Sequence, residues 1–132
     1  MTEKYGIYKC NVCGNIVEVV HEGAGEMVCC NVPMEELQEK KSDENLQEKH
    51  VPIVTMEGDN KIIRVGSIPH PMLKEHYIMF IEAISSDGKY IKRKYLTPDE
   101  APEMDVQNCD YKHFKARELC NLHGLWVNEN LN

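Results

Sequence analysis

The sequence predicts an all-β fold in two parts: a small metal-stabilised N-terminal unit and, after it, a β-sandwich or barrel. Short runs rich in β-branched residues alternate with glycine, asparagine and aspartate turns along most of the 132 residues. Four of the six cysteines fall within the first 30 residues. A charged stretch at residues 33–47 separates the two parts. This length suits a small domain beside a very small one.

The N-terminal unit is expected at residues 1–36. Strand-like runs at 7–9, 15–20 and 27–30 are separated by turns at Gly14 and at residues 23–25. So small a unit cannot bury enough apolar surface to fold alone. A metal shared by its four cysteines would supply the missing stabilisation.

Residues 37–47 are expected to form a charged linker, since they contain few apolar side chains. The alternative for the stretch after Pro33 is a short solvated helix, because proline suits a first helical turn. Residues 48–132 then form the second domain, with Trp126 as a candidate core anchor. Its predicted strands are 51–54, 61–65, 76–84, 90–96 and 115–119.

Composition and charge exclude several classes of function. The net charge of −7, from 22 acidic and 15 basic residues, argues against a nucleic-acid partner, whose phosphates demand a basic face. The longest apolar stretch, residues 77–81, is far shorter than the roughly 18 residues of a membrane span. The first residues lack the features of a secretory signal, so we expect a cytoplasmic protein.

Four cysteines form the first candidate metal site. Cys10 and Cys13 lie on one tight loop, and Cys29 and Cys30 follow after fifteen intervening residues. Four thiolates suit zinc or a mononuclear iron, and spacing alone does not separate the two metals. Two disulfides are the other alternative, which a reducing compartment disfavours. Neighbouring residues of an extended chain point to opposite sides, so the adjacent pair requires a distorted backbone.

The segment at residues 8–19, together with the adjacent cysteine pair, resembles desulforedoxin. This resemblance implies a rubredoxin-like iron, bound by the four thiolates, that passes single electrons.

A second candidate site combines histidines with a cysteine. His70 lies between two prolines, which confine it to extended geometry and hold its imidazole in place. Cys120 and His123 are three residues apart on a turn closed by glycine, a chelating spacing. His50 and His76 each stand close to the start of a predicted strand.

The strings at residues 48–52, 66–72, 76–78 and 120–126 resemble superoxide reductases of the desulfoferrodoxin family. The resemblance covers essentially the whole chain, although Phe80 stands where relatives often carry tryptophan. It implies an immunoglobulin-like β-sandwich as the catalytic domain and two mononuclear iron ions per chain. The second iron would have Cys120 as its axial thiolate and four equatorial imidazoles, from His50, His70, His76 and His123.

The implied activity is one-electron reduction of superoxide to hydrogen peroxide, without production of oxygen. Glu48 would bind the oxidised iron. Lys49, next to His50, would attract the superoxide anion against the negative charge of the protein, and Lys74 is a weaker candidate for the same role. The resemblance also implies a rubredoxin-type electron donor and a homodimer. We expect His21, His113 and Cys109 not to be ligands, because they lie outside the matching strings.

Two other functions compete with this interpretation. The chain could be a non-catalytic rubredoxin-like iron electron carrier, or a structural zinc protein. Neither needs a site with an open coordination position, so the histidine-rich group discriminates among the three.

Overall fold

The computed structural model describes residues 1–41, 50–66, 70–106 and 113–131. The chain divides into two compact units, Met1–Gln38 and Glu39–Asn132. The boundaries expected from the sequence, at residues 36 and 47, stay predictions. Within the described ranges no helix is long and apolar enough to cross a membrane.

Antiparallel pairing organises the first unit. β1 lies at the centre of a three-stranded sheet in the order β2-β1-β5, and β3 pairs with β4 in a separate hairpin. The buried apolar residues of the unit are Ile7, Tyr8, Cys10 and Val19, which is too small a core for independent stability. The strands are β1 (Ile7–Lys9), β2 (Ile16–Glu18), β3 (Val28–Cys29), β4 (Val32–Pro33) and β5 (Glu35–Glu36).

The described chain from Pro33 to Lys41 is extended, so a helix that begins directly after Pro33 is wrong, whereas residues 42–47 of that stretch lie outside the described residues. Glu35 and Glu36 pair with Lys9 and Tyr8 of β1. Backbone groups at the open side of β1 need partners, and this need outweighs the local preference of a charged sequence.

The second unit is a two-layer β-sandwich, within the residues that the structure describes. One sheet has the order β10-β7-β6, the other has the order β12-β11-β8-β9, and all pairs are antiparallel. Seven strands in sheets of three and four match an immunoglobulin-like sandwich, and the expected fold class is confirmed. The strands are β6 (Pro52–Glu57), β7 (Asn60–Val65), β8 (Ile78–Ser85), β9 (Ile91–Tyr95), β10 (Glu103–Asp105), β11 (Phe114–Cys120) and β12 (Gly124–Leu131).

The second unit contains an apolar core cluster and, separately, a buried ion pair between two of its strands. Residues of β7, β8 and β11 supply most of the apolar cluster. Trp126 is fully buried, as expected for a core anchor. Glu82 of β8 accepts hydrogen bonds from Arg117 of β11, at 2.7 Å and 3.0 Å, and both side chains are buried. These contacts fix β8 against β11, the strands that lead into the histidine-rich group.

Candidate metal centres

A tight loop presents the first two cysteines of the N-terminal unit. The Gly14 amide donates to the Cys10 carbonyl at 2.9 Å, and the Cys10 amide donates to Asn15 at 2.8 Å. Gly14 has φ of +84°, a left-handed conformation that glycine adopts without a steric penalty. The turn thereby brings the thiols of Cys10 and Cys13 to the same side.

The adjacent cysteine pair requires a strained backbone, as the sequence predicted. Cys30 has φ of 54° and Asn31 has φ of 62°, both in the left-handed region. This turn joins β3 to β4 and directs both thiols toward the Cys10–Cys13 loop. The Sγ of Cys29 lies 3.6 Å from that of Cys13 and 4.0 Å from that of Cys30. All four sulfur atoms lie within 4.8 Å of one another.

The thiols of Cys10 and Cys30 do not ionise equally. Hydrogen bonds from the amides of Cys13 and Val12 stabilise the Cys10 thiolate and lower its pKa to about 6. Hydrogen bonds with the thiols of Cys13 and Cys10 raise the pKa of Cys30 to about 12. The Cys10 thiolate is therefore favoured, and ionisation of Cys30 is opposed. A bound cation that displaces the protons would let all four ionise.

The second group gathers side chains from three connections of the sandwich. His50 precedes β6, His70 and His76 lie between β7 and β8, Cys120 ends β11, and His123 lies in the turn to β12. The Nε2 of His50 lies 3.0 Å from the Nε2 of His70 and 3.1 Å from the Nδ1 of His123. The Sγ of Cys120 is 3.5 Å from the Nε2 of His70. Five potential ligand atoms thus lie within 4.8 Å of one another.

The four imidazoles form a closed cycle in the order His50, His70, His76, His123. Neighbouring ring centroids are 4.6 to 5.0 Å apart, and neighbouring planes meet at 74° to 81°. Such a cycle directs four ring nitrogens at one central point. Four imidazoles arranged in this way would hold one ion between them.

Burial and one hydrogen bond prepare His70 to bind a metal. Its Nδ1 lies 2.6 Å from the Pro71 carbonyl oxygen, so Nδ1–H donates there and the lone pair of Nε2 faces the centre. Burial lowers the pKa of His70 to about 4. The ring is therefore neutral at pH 7, which is the form that coordinates metals.

Residues that are not themselves candidate ligands hold the ligands in place, and the sequence did not predict these contacts. The indole of Trp126 stacks on His50 with centroids 4.9 Å apart, and its Nε1 donates to the His123 carbonyl at 3.1 Å. Asn121 accepts from the Tyr77 amide at 3.0 Å and donates to the Glu75 carbonyl at 3.1 Å, so it holds the chain on both sides of His76. The sequence signal for Asn121 was its position between two ligand candidates, Cys120 and His123.

A buried carboxyl group lies two residues before Cys120. Neither oxygen of Glu118 has a hydrogen-bond partner among the described residues, and burial raises its pKa well above the usual range. Burial also raises the pKa of the Cys120 thiol, while the amides of Leu122 and His123 act in the opposite direction. A metal ion would supply the positive charge that ionised Cys120 requires.

Both groups fit iron. Two ligand atoms that each lie about 2.0 to 2.3 Å from one ion are at most roughly 4.6 Å apart, close to the observed limit of 4.8 Å. Four thiolates suit a tetrahedral iron, and neutral imidazoles with one thiolate suit a non-haem iron. Five donors leave one position of an octahedron open.

The nine cysteines and histidines that the sequence selected as ligand candidates fall into these two groups, four in the first and five in the second. Glu48, Lys49 and Cys109 lie outside the described residues. His21 and His113 belong to neither group, as expected.

Fold and site together define a non-haem metalloprotein with two centres, one in each unit. A family model for the N-terminal domain of desulfoferrodoxin matches residues 2–37, and a desulfoferrodoxin model matches residues 42–129. The chain therefore belongs to the desulfoferrodoxin family.

Relatives and solved structures agree with this assignment. Desulfoferrodoxin of Syntrophotalea carbinolica is 47% identical over 129 residues, covering 98% of this chain and 99% of its own. Superoxide reductase of Pyrococcus abyssi is 31% identical over 105 residues, covering 67% of this chain and 91% of its own. The crystal structure of superoxide reductase from Treponema pallidum has a TM-score of 0.71 at 26% identity, covering 97% of this chain and 99% of its own.

Proposed function

We propose that this protein is a superoxide reductase, which reduces superoxide by one electron to hydrogen peroxide and forms no oxygen. The observation that carries the proposal is the cycle of four imidazoles with a thiolate beside it. The similarity to proteins named superoxide reductase supports it. Neither an electron carrier nor a zinc staple needs five such donors with a sixth position open.

His50, His70, His76 and His123 hold the second iron, with Cys120 as the fifth ligand. Bound ferrous iron supplies the electron and an open position for a small oxidant. The Cys120 thiolate donates electron density and thereby favours electron release. His50, His70 and Cys120 are buried, whereas His76 and His123 are half-buried, so a small molecule reaches the group past the latter two.

Cys10, Cys13, Cys29 and Cys30 hold the first iron. Four thiolates would complete the ligand set of one ion, so this centre would leave no position for substrate. Its role is to pass single electrons, which fits the partial exposure of its sulfur atoms: Cys13 and Cys30 are exposed.

Local positive charge has to attract superoxide, because the chain carries a net charge of −7. We assign this role to Lys49, adjacent to His50 in sequence, and assign Glu48 the role of competing for the open position after oxidation. Lys74 is a second cation near the group. It is exposed at the tip of a tight turn, in which the backbones of Leu73 and His76 exchange hydrogen bonds at 2.9 Å and 3.0 Å.

Pulse radiolysis across a salt series tests these assignments on the pre-reduced protein. Lys49→Ile is expected to slow the second-order reaction with superoxide and to flatten or reverse its salt dependence. Lys74→Met removes the second cation and serves as a control, with a smaller expected effect on the rate of reaction with superoxide. Glu48→Ala is expected to leave the first reaction nearly unchanged and to shift the ferric resting spectrum. Identical rates and salt slopes for wild type and Lys49→Ile would make Lys49 an ordinary surface lysine.

Three further features belong to this proposal: a rubredoxin-type electron donor, a homodimer and a cytoplasmic location. Five described cysteines are free thiols, which fits a reducing compartment. The donor and the dimer rest on the family resemblance. Light scattering of the iron-loaded protein measures the oligomeric state, and a reconstituted assay with reduced rubredoxin measures donor competence. A monomer would contradict the homodimer. A rate of iron reduction that is no faster with rubredoxin than without it would contradict the rubredoxin-type donor.

A further inference from the structure

Lys40 lies against the Cys120–His123 turn, far from that turn in sequence. Its backbone pairs with β12 in parallel fashion: the Lys40 amide donates to Leu125 and the Val127 amide donates to the Lys40 carbonyl, both at 2.9 Å. Its Nζ donates to the His123 carbonyl oxygen at 3.0 Å. The residues on either side of Lys40 are anchored to the same unit, through Glu39 to Arg117 and through Lys41 to Glu129.

The ammonium group of Lys40 lies close both to His123 and to Trp126, the residue that supports His50. It lies 5.4 Å from the ring centroid of Trp126, the residue that stacks on His50. The His123 carbonyl therefore accepts from two donors, Lys40 Nζ and Trp126 Nε1. A Cβ added at Gly124 would lie 3.8 Å from Nζ, which shows how closely the ammonium group approaches the backbone of the turn.

A positive charge in this place has a defined electrostatic effect. One-electron reduction of a bound metal adds negative charge, and a nearby cation stabilises the reduced form. The side chain of Lys40 is exposed, so solvent and salt reduce the effect without removing it.

We propose that Lys40 is a positioning residue of the second metal centre: it anchors the His123 turn and raises the reduction potential of the bound iron. The inference rests on the proposed iron site. It concerns how readily that iron accepts the single electron from the donor, a step in which no bond is made or broken. Lys40, which belongs to the stretch 37–47 expected to be only a charged linker, would then be a functional residue.

The test is an equilibrium redox titration of the iron-loaded protein with one-electron mediators. Lys40→Met keeps the aliphatic stem and removes the charge, whereas Lys40→Arg keeps both. Lys41→Met is the matched control, because Lys41 pairs with Glu129 at 3.0 Å and is 63% exposed. The single tryptophan, Trp126, reports by its emission whether the surrounding core is intact.

We expect Lys40→Met to lower the equilibrium constant for reducing the second iron by about threefold to tenfold. That change is roughly 30 to 60 mV, since tenfold is about 59 mV for a one-electron couple. Lys40→Arg and Lys41→Met should stay within about twofold of wild type. The difference should shrink in 1 M salt, where the Debye length is about 3 Å. The four-cysteine iron provides an internal reference whose potential should not move.

Equal potentials for Lys40→Met and Lys41→Met would overturn the proposal. So would an equal loss of iron from folded Lys40→Met and Lys40→Arg, because charge would then be irrelevant. Loss of iron from Lys40→Met alone, with iron retained by Lys40→Arg, would support the anchoring role. Reactivity of reduced wild type with superoxide is measured separately, so failure of the superoxide reductase assignment is distinguishable from failure of the Lys40 assignment.

Discussion

The imidazole of His50 and the indole of Trp126 lie stacked, with planes 21° apart and centroids separated by 4.9 Å. Trp126 is thus both a core residue of the sandwich and a support for a ligand. The indole supports one face of the His50 ring, and the Nε1 hydrogen bond of Trp126 fixes the backbone of His123. Stability of the sandwich and geometry of the metal site therefore depend on the same side chain.

Trp126→Phe and Trp126→Ala separate what the Nε1 hydrogen bond of Trp126 and what its ring contribute to the stability of the sandwich. Phenylalanine keeps a stacked ring and loses the hydrogen bond, so we expect a loss of about 1 to 2 kcal/mol in the free energy of unfolding. Alanine leaves a cavity and should cost about 3 to 5 kcal/mol. Urea unfolding of the metal-free protein, followed by circular dichroism because these variants lack tryptophan, measures both. Equal losses for the two variants would show that ring volume contributes nothing.

Asn121 is expected to set metal affinity through His76. Asn121→Ala removes the two side-chain hydrogen bonds to the Tyr77 amide and the Glu75 carbonyl, so iron affinity at the second centre should fall about 10-fold to 100-fold. Leu122→Ala is the matched control, because the neighbouring Leu122 is 61% exposed. Competition with a chelator measures the affinities. The prediction fails if both variants bind iron as tightly as wild type does.

Cys13→Ser should disable the first centre without affecting the second. Three thiolates no longer complete the tetrahedron, so the variant should lose the four-cysteine iron and its absorption. The histidine-rich group belongs to the other compact unit and should keep its metal. Iron analysis and pulse radiolysis of the pre-reduced variant check this. Complete loss of superoxide reactivity in a folded Cys13→Ser protein would show that the roles are assigned wrongly.

Cys120→Ser addresses the thiolate of the second centre. Serine replaces a strongly donating ligand by a weak one, although the four imidazoles remain. Hydrogen peroxide formation should collapse, and the visible band from thiolate-to-iron charge transfer should disappear. Absorption spectra and peroxide assays of the loaded variant give the result. An unchanged spectrum and rate would exclude Cys120 as a ligand.

Much of the site could be predicted from the sequence because ligand residues are chemically distinctive. Several of its features are local and are visible in the sequence without knowledge of the fold: the two thiol loops, the prolines around His70 and the Cys120–His123 turn. The strand β12 was missed, since its second half contains Asn128 and Glu129, and its pairing with β11 is a tertiary effect.

The contacts that hold the ligands were not predictable in the same way. Lys40 lies in a stretch of charges that resembles many solvated segments, and nothing local distinguishes it from Lys41. Only the folded chain brings its ammonium group to a carbonyl 83 residues away. Asn121 lies in a recognised string, yet its partners Glu75 and Tyr77 come from another loop.

The stoichiometry of the reaction with superoxide tests the central claim most directly. The fully reduced wild-type protein is mixed with a limiting amount of superoxide, and hydrogen peroxide and oxygen are measured together. A superoxide reductase yields one hydrogen peroxide for each superoxide consumed, with one electron lost from the protein and no oxygen formed. Release of one oxygen for every two superoxide anions, with no net oxidation of the protein, would contradict the account and indicate a dismutase.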